Sequence, residues 1–239
     1  MSLRLGFDVD GVLADFRSAF RATARECLGH ALTEDGDGAT ATPLAQGDVA
    51  KVWTHIARTP NWWMKVPPHE QPEIARLYAL ARAARWEVFF LTKRPASAGD
   101  PVQFQTQWWL ELQGFYLPAV LTVPGSRGDA ANALKLDITV DDRLTNCVDI
   151  IAASRSKAVL VLRREDQIVR DQALARGIGV VSTLAAAIDA VEQFEEAKRV
   201  SSGRLSRLAD WFKPSRHDEE RLPMDARATL GRVHPPPKA

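Results

Sequence analysis

Asp8 and Asp10 stand one residue apart where a short apolar run, Leu3, Leu5 and Phe7, gives out, and Gly11 follows at once. Two carboxylates that close repel each other unless positive charge sits between or beside them. A divalent cation is the simplest remedy, and a hard ion such as Mg2+ takes oxygen ligands. A free carboxylate beside such an ion can attack phosphorus, which makes phosphoryl transfer the chemistry to test for. The competing reading is a solvated Asp-x-Asp-Gly turn, since both residue types are ordinary in turns. An EF-hand does not fit, because the third oxygen-bearing residue before the glycine and the glutamate at the twelfth position are missing.

Two further strand ends carry polar chemistry. Glu87 to Leu91 runs into Thr92-Lys93-Arg94-Pro95, a hydroxyl and two cations that suit an anion, phosphate above all. Ile138 to Val140 runs into a second acidic pair, Asp141 and Asp142, followed by Arg143. In a parallel sheet these ends fall on one edge, where open α/β sheets bind ligands, so residues far apart in sequence can converge.

The elements that would position them follow from periodicity. A strand through residues 3–7 and a helix over 14–28 come first, with Phe16, Phe20, Ala24 and Cys27 at helical spacing. The clearest helix spans 71–85, with Pro72 in its first turn and Ile74, Leu77, Tyr78, Ala81 and Ala84 on one face. A helix over 101–113 contains Trp108 and Trp109, read as core and cap packing, and stops at Gly114. Further strands are expected at 119–123, 138–140, 158–162 and 178–181, with helices from Ser126 to about Leu136 and over 145–155, 166–176 and 183–200. This alternation predicts a Rossmann-like parallel sheet with helices on both faces.

Residues 44–70 interrupt the alternation with Trp53, Trp62, Trp63 and Met64, bracketed by Pro60 and Pro67-Pro68. As a small helical cap inserted after the first strand, this segment would lie over the acidic edge. Its tryptophans then either form the insertion's own core or stack on a flat ligand, a contact worth roughly 1–3 kcal/mol per base. The expected division is an α/β core over 1–28 and 71–200, a cap over 29–70, and a partly disordered tail over 201–239. Within the cap, Thr33 to Pro43 reads as a solvated loop despite Asp35 and Asp37. In the tail, Arg204, Leu205, Leu208, Trp211 and Phe212 could form a short amphipathic helix.

The 239 residues are 46% hydrophobic and 26% charged, with a formal net charge of +1, so no global field argues for nucleic acid or acidic membranes. Cys27 and Cys147 form no metal or redox motif, which points to a reducing compartment. No apolar run approaches a membrane span, and the first strand starts too early for a signal peptide. A cytoplasmic protein is expected.

Phe7-Asp8-Val9-Asp10-Gly11-Val12, Leu91-Thr92 and Val140-Asp141-Asp142-Arg143 resemble motifs I, II and IV of the haloacid dehalogenase superfamily. More narrowly, Leu91 to Pro95, Trp62-Trp63 with Pro67-Pro68, and Asp141-Asp142-Arg143 are similar to the 5'(3')-deoxyribonucleotidase family. The resemblance implies that Asp8 is the nucleophile and that Asp10 is the acid and then the base. It implies a Mg2+ ion held by Asp8, the Asp10 carbonyl and Asp141, with Asp142 orienting a bound water. Thr92 and the Lys93 amide would hold phosphate. The superfamily's motif III lysine is replaced: the position before Gly128 fits best by spacing and holds Arg127, and Lys135 is the alternative.

The function so implied is a Mg2+-dependent phosphomonoesterase working through an aspartyl-phosphate, on a nucleoside monophosphate. Trp53, Trp62 and Trp63 are the candidate substrate wall. A sugar-phosphate phosphatase and a non-catalytic phosphate-binding protein are the alternatives. The expected partner is a small phosphorylated metabolite, with neither a membrane nor a nucleic-acid polymer, and homodimerisation stays open.

Overall fold

The computed structural model describes residues 2–29 and 44–200. The Thr33–Pro43 loop, with Asp35 and Asp37, and the tail over 201–239, with its amphipathic stretch, lie outside the described residues.

Among the described residues, six strands form one parallel sheet in the order β3-β2-β1-β4-β5-β6. They are β1 (Arg4–Asp8), β2 (Glu87–Thr92), β3 (Ala119–Thr122), β4 (Ile138–Asp141), β5 (Lys157–Val161) and β6 (Gly179–Val181). The order runs outward from β1 to β3 one way and from β4 to β6 the other. The sheet therefore reverses between β1 and β4, where α/β folds open a crevice at the strand ends. Register pairs Phe7 with Val140, so Asp8 and Asp141 end neighbouring strands side by side.

The helices are α1 (Phe16–Leu28), α2 (Gln46–Arg58), α3 (Gln71–Ala84), α4 (Val102–Leu112), α5 (Arg127–Leu134), α6 (Leu144–Ala153), α7 (Gln167–Ala175) and α8 (Leu184–Val200). Alternation along the strands divides the core in two. Leu5, Phe7, Phe90, Val159 and Val161 face one layer, with Ile74 and Leu77 of α3, Trp109 and Leu110 of α4, and Ile188 of α8. Leu91, Ala158 and Leu160 face the other, with Ala131 of α5, Ile150 of α6 and Ala173 of α7.

The described part of the insertion holds α2 and a short 3-10 turn, Trp62–Lys65. Its Val52, Ile56, Trp62 and Trp63 join the same apolar cluster as β1, α3 and α4, with no separate core. Trp109 is fully buried as expected, but Trp108 is not: it is about half exposed on the outer side of α4.

Candidate active site

The acidic edge is built by a turn that its own backbone closes. After β1, the Leu13 and Ala14 amides both donate to the Val9 carbonyl, and Gly11 N–H donates to Ala14 at 2.8 Å. Gly11 holds a φ of +95°, which disfavours any side chain. A Cβ there would also collide with the Asp142 carboxylate, so the acid can approach only because residue 11 is glycine. Arg163 fastens the turn from the far side, donating to the Gly11 and Val12 carbonyls at 3.0 and 2.7 Å and to Glu70 at 2.7 Å. Glu70 in turn accepts from the Leu184 and Ala185 amides at the start of α8.

Asp8, Asp141 and Asp142 each offer an oxygen, and the three oxygens lie within 4.8 Å of one another. Asp8 and Asp141 are buried. Burial above all, then the Asp141 charge, pushes Asp8 well above the usual carboxylate range. Burial, again followed by Asp141, pushes Asp142 up to about 6. Asp141 is raised as well, by burial, against the opposing bonds from the Arg143 amide and from Asn146 Nδ2, which lies 3.0 Å from Oδ1. An all-oxygen donor set that crowds its own charge out of water fits a hard divalent cation.

Arg127 is the cation already present. It sits at the first position of α5, whose N-cap Ser126 accepts from the Asp129 amide at 2.9 Å. Asp149 accepts from both Ser126 Oγ and the Gly128 amide, tying this helix start to α6. So aimed, Arg127 Nη2 donates to Asp8 Oδ1 at 2.7 Å, and Nε lies 3.9 Å from Asp141 Oδ2. Its third nitrogen, Nη1, is buried without a hydrogen-bond partner. Lys135 caps the other end of α5, beside the Leu136 and Asp137 that lead into β4, at the opposite edge of the sheet.

The Asp10 carboxylate is not one of the acidic trio. Both its oxygens are held by Arg94, through Nε at 2.9 Å and Nη2 at 2.8 Å. Arg94 is itself fixed: Nη1 donates to Thr106 Oγ1 at 3.1 Å, and the guanidinium lies over the Trp63 ring at 4.9 Å. Of the two cations that suit an anion by sequence, Arg94 is committed to Asp10, while Lys93 enters the phosphate expectation through its amide. Along the extended chain Phe90, Thr92 and Arg94 are buried, while Lys93 is exposed beside the cavity it lines. The Thr92 hydroxyl is buried 3.5 Å from Asp10 Oδ2. The metal assignment of Asp10 therefore rests on its main-chain carbonyl, since its side chain is committed to Arg94.

These groups open on a cavity of about 330 Å3. Asp8, Asp10, Lys93, Arg94, Arg127 and Arg143 are the charged part of its lining. Phe16, Trp53 and Trp63 line the apolar side, with Phe16 stacked against both indoles at 5.7 and 5.8 Å. Of the three candidate tryptophans, Trp62 takes the core alternative. It is buried behind Trp63, with its indole N–H donated to Thr23 Oγ1 at 3.0 Å, and it packs the core instead of the cavity.

No family model matches the chain, and no curated protein matches it. Solved structures do. A haloacid dehalogenase-like hydrolase from Streptococcus pneumoniae superposes with a TM-score of 0.51 at 12% identity, over 79% of this chain and 97% of that one. A haloacid dehalogenase family hydrolase from Deinococcus radiodurans, solved with phosphate and sodium, gives 0.50 at 14% identity, over 90% and 99%. The chain thus has the haloacid dehalogenase-like fold, and its acidic trio lies at the strand ends of that fold.

Proposed function

We propose that this protein hydrolyses phosphate monoesters with Mg2+ as cofactor, and that its substrate is a nucleoside monophosphate. The observation that carries the reading is the pairing of Asp8 with Arg127 at the lining of the cavity, beside the gathered Asp8, Asp141 and Asp142 oxygens. Asp8, Asp141 and the Asp10 carbonyl would hold the cation, with Asp142 alongside. When bound, it offsets the crowded negative charge and polarises a phosphoryl oxygen.

Asp8 attacks phosphorus, a carboxylate–phosphorus bond forms, and the ester P–O bond breaks. Asp10 gives its proton to the departing alcohol. It then takes a proton from the water that attacks the aspartyl-phosphate, releasing inorganic phosphate and restoring Asp8. Arg127, Thr92 and Lys93 would hold the phosphoryl oxygens, so that charge building up on them meets fixed donors.

The aromatic wall supports a flat base as the rest of the ligand, and about 330 Å3 is at the small end of ligand pockets, suited to a mononucleotide and not a polymer. Trp53 and Trp63 of the described part of the insertion would supply this wall together with Phe16 of α1. No helix among the described residues is long and apolar enough to cross a membrane, and Cys27 and Cys147 are both free thiols, which suits a cytoplasmic setting.

The test is hydrolysis of p-nitrophenyl phosphate by EDTA-treated protein with Mg2+ restored, followed by a panel of nucleoside monophosphates and sugar phosphates. Mg2+-dependent turnover that Asp8→Asn abolishes supports the enzyme. Turnover confined to sugar phosphates would move the substrate, and no turnover with retained phosphate binding would leave a binding protein.

A further inference from the structure

The outer side of α4 carries an apolar ridge that no part of the described chain covers. Phe104, Trp108 and Leu112 recur every fourth residue and so line one side of the helix. Phe104 and Trp108 are about half exposed, and Leu112 is 68% exposed. The turn that follows extends the ridge with Tyr116, also exposed, and Leu117, which is 91% exposed. Elsewhere among the described residues, large hydrophobic side chains this exposed are confined to Ile168 and Leu174 on α7. Leu117 holds a φ of 52°, a left-handed conformation that leucine rarely adopts. Its N–H donates to the Glu111 carboxylate at 3.3 Å, which folds the turn back along the last turns of α4.

We infer that this ridge is the interface between two copies of the chain. Charge is the first reason to choose a second copy. Residues 101–126 contain one charged residue, Glu111, in a chain that is 26% charged, and Glu111 is engaged with Leu117. Interface centres are depleted in charge and enriched in aromatic residues. An anionic lipid surface needs a cluster of Lys or Arg beside the apolar face; residues 101–126 carry neither, and the cation that the contacts place beside the ridge is Arg82, which lies over Tyr78 next to Tyr116.

Area is the second reason. The exposed parts of the five side chains come to roughly 700 Å2, close to the share one partner contributes to an interface of standard size. Geometry is the third. A ridge repeating every fourth residue interdigitates with the same ridge on another helix, and a twofold dimer presents one patch to itself. The inner side of α4 meanwhile holds the site: Thr106 accepts from Arg94, and Gln105 accepts from the Trp63 amide at 3.2 Å. Dimerisation would thus cover from outside the helix that fixes Arg94 from inside.

Sedimentation of the full chain tests this. Its 26.4 kDa should appear doubled. Leu117→Glu, at a side chain standing in water, should halve the measured mass without changing the circular dichroism, and Trp108→Glu should do the same. Ile168→Glu, the same kind of change at an exposed position on α7, should leave the dimer intact. A wild-type chain that stays monomeric to high micromolar concentration overturns the inference, whether or not the ridge then captures a vesicle or a different protein. A dimer that survives both ridge substitutions, or that Ile168→Glu breaks as readily, overturns it too.

Discussion

Arg127 Nη2 lies 2.7 Å from Asp8 Oδ1, joining the first position of α5 to the end of β1 inside the protein. A guanidinium in this place can hold the carboxylate with one nitrogen and still offer another to a ligand, which a single ammonium does less well. Arg127→Met should lower kcat roughly 10²–10³-fold, the usual loss for one donor aimed at developing charge. Arg127→Lys should fall in between. Because the substitution strands a buried acid, Arg127→Met should also cost about 3–5 kcal/mol of stability in EDTA, partly restored by Mg2+. Steady-state kinetics and thermal melts with and without the ion check both.

Arg94 is hydrogen-bonded to Asp10, which gives it a positioning role in the proposed reaction. Loss of its two bonds should leave Asp10 poorly oriented, so Arg94→Gln should slow substrates whose leaving alcohol needs a proton. p-Nitrophenyl phosphate, whose leaving group departs without one, should be much less affected. A uniform loss on both substrate types would mean that Arg94 is merely structural.

Asp142 supplies a pH test whose sign is fixed by burial. Its pKa in the folded chain is about 6, above the 3.8 of an exposed aspartate. The folded state therefore binds the extra proton, and this contribution to stability is complete below the unfolded value and disappears as pH rises through about 6. Without metal, Asp142→Asn should be more stable than wild type at pH 7.5, and the two should draw together near pH 4. Mg2+ should stabilise wild type more at pH 7.5 than at pH 5. Chemical denaturation at several pH values measures each difference.

Trp53 and Trp62 separate binding from packing. Trp53 lines the cavity, so Trp53→Ala should raise KM for a nucleoside monophosphate and leave p-nitrophenyl phosphate nearly unchanged. Trp62 lies in the core, so Trp62→Ala should cost about 3–5 kcal/mol of stability, visible in a denaturation curve.

The elements were legible because each is short, strongly patterned and punctuated. Ser126 before α5 and the apolar face of α3 are local signals that tertiary packing had no reason to override. The convergence of Asp8 with Asp141 was legible from strand ends alone, since a parallel sheet brings them to one edge. Arg94 is visible in the sequence as a cation at a strand end, but its pairing with Asp10, 84 residues away, depends on the side to which the extended chain turns it. Arg163 and Glu70 were hidden. They act on main-chain groups of the turn and of α8, and hydrogen bonds to backbone leave no pattern of residue types. Trp62 and Trp63 are adjacent and chemically identical, so their division between core and cavity is set by the 3-10 turn, which sequence alone did not specify.

Asp8, Asp141 and the Asp10 carbonyl, with Asp142 alongside, would clasp one divalent cation. Calorimetric titration of the EDTA-stripped chain with Mg2+ tests it directly, using wild type and Asp141→Asn side by side. One site per chain in wild type, weakened at least tenfold in the variant while the fold persists, is the expected result. Equal binding by the two proteins, or none by wild type, would contradict it.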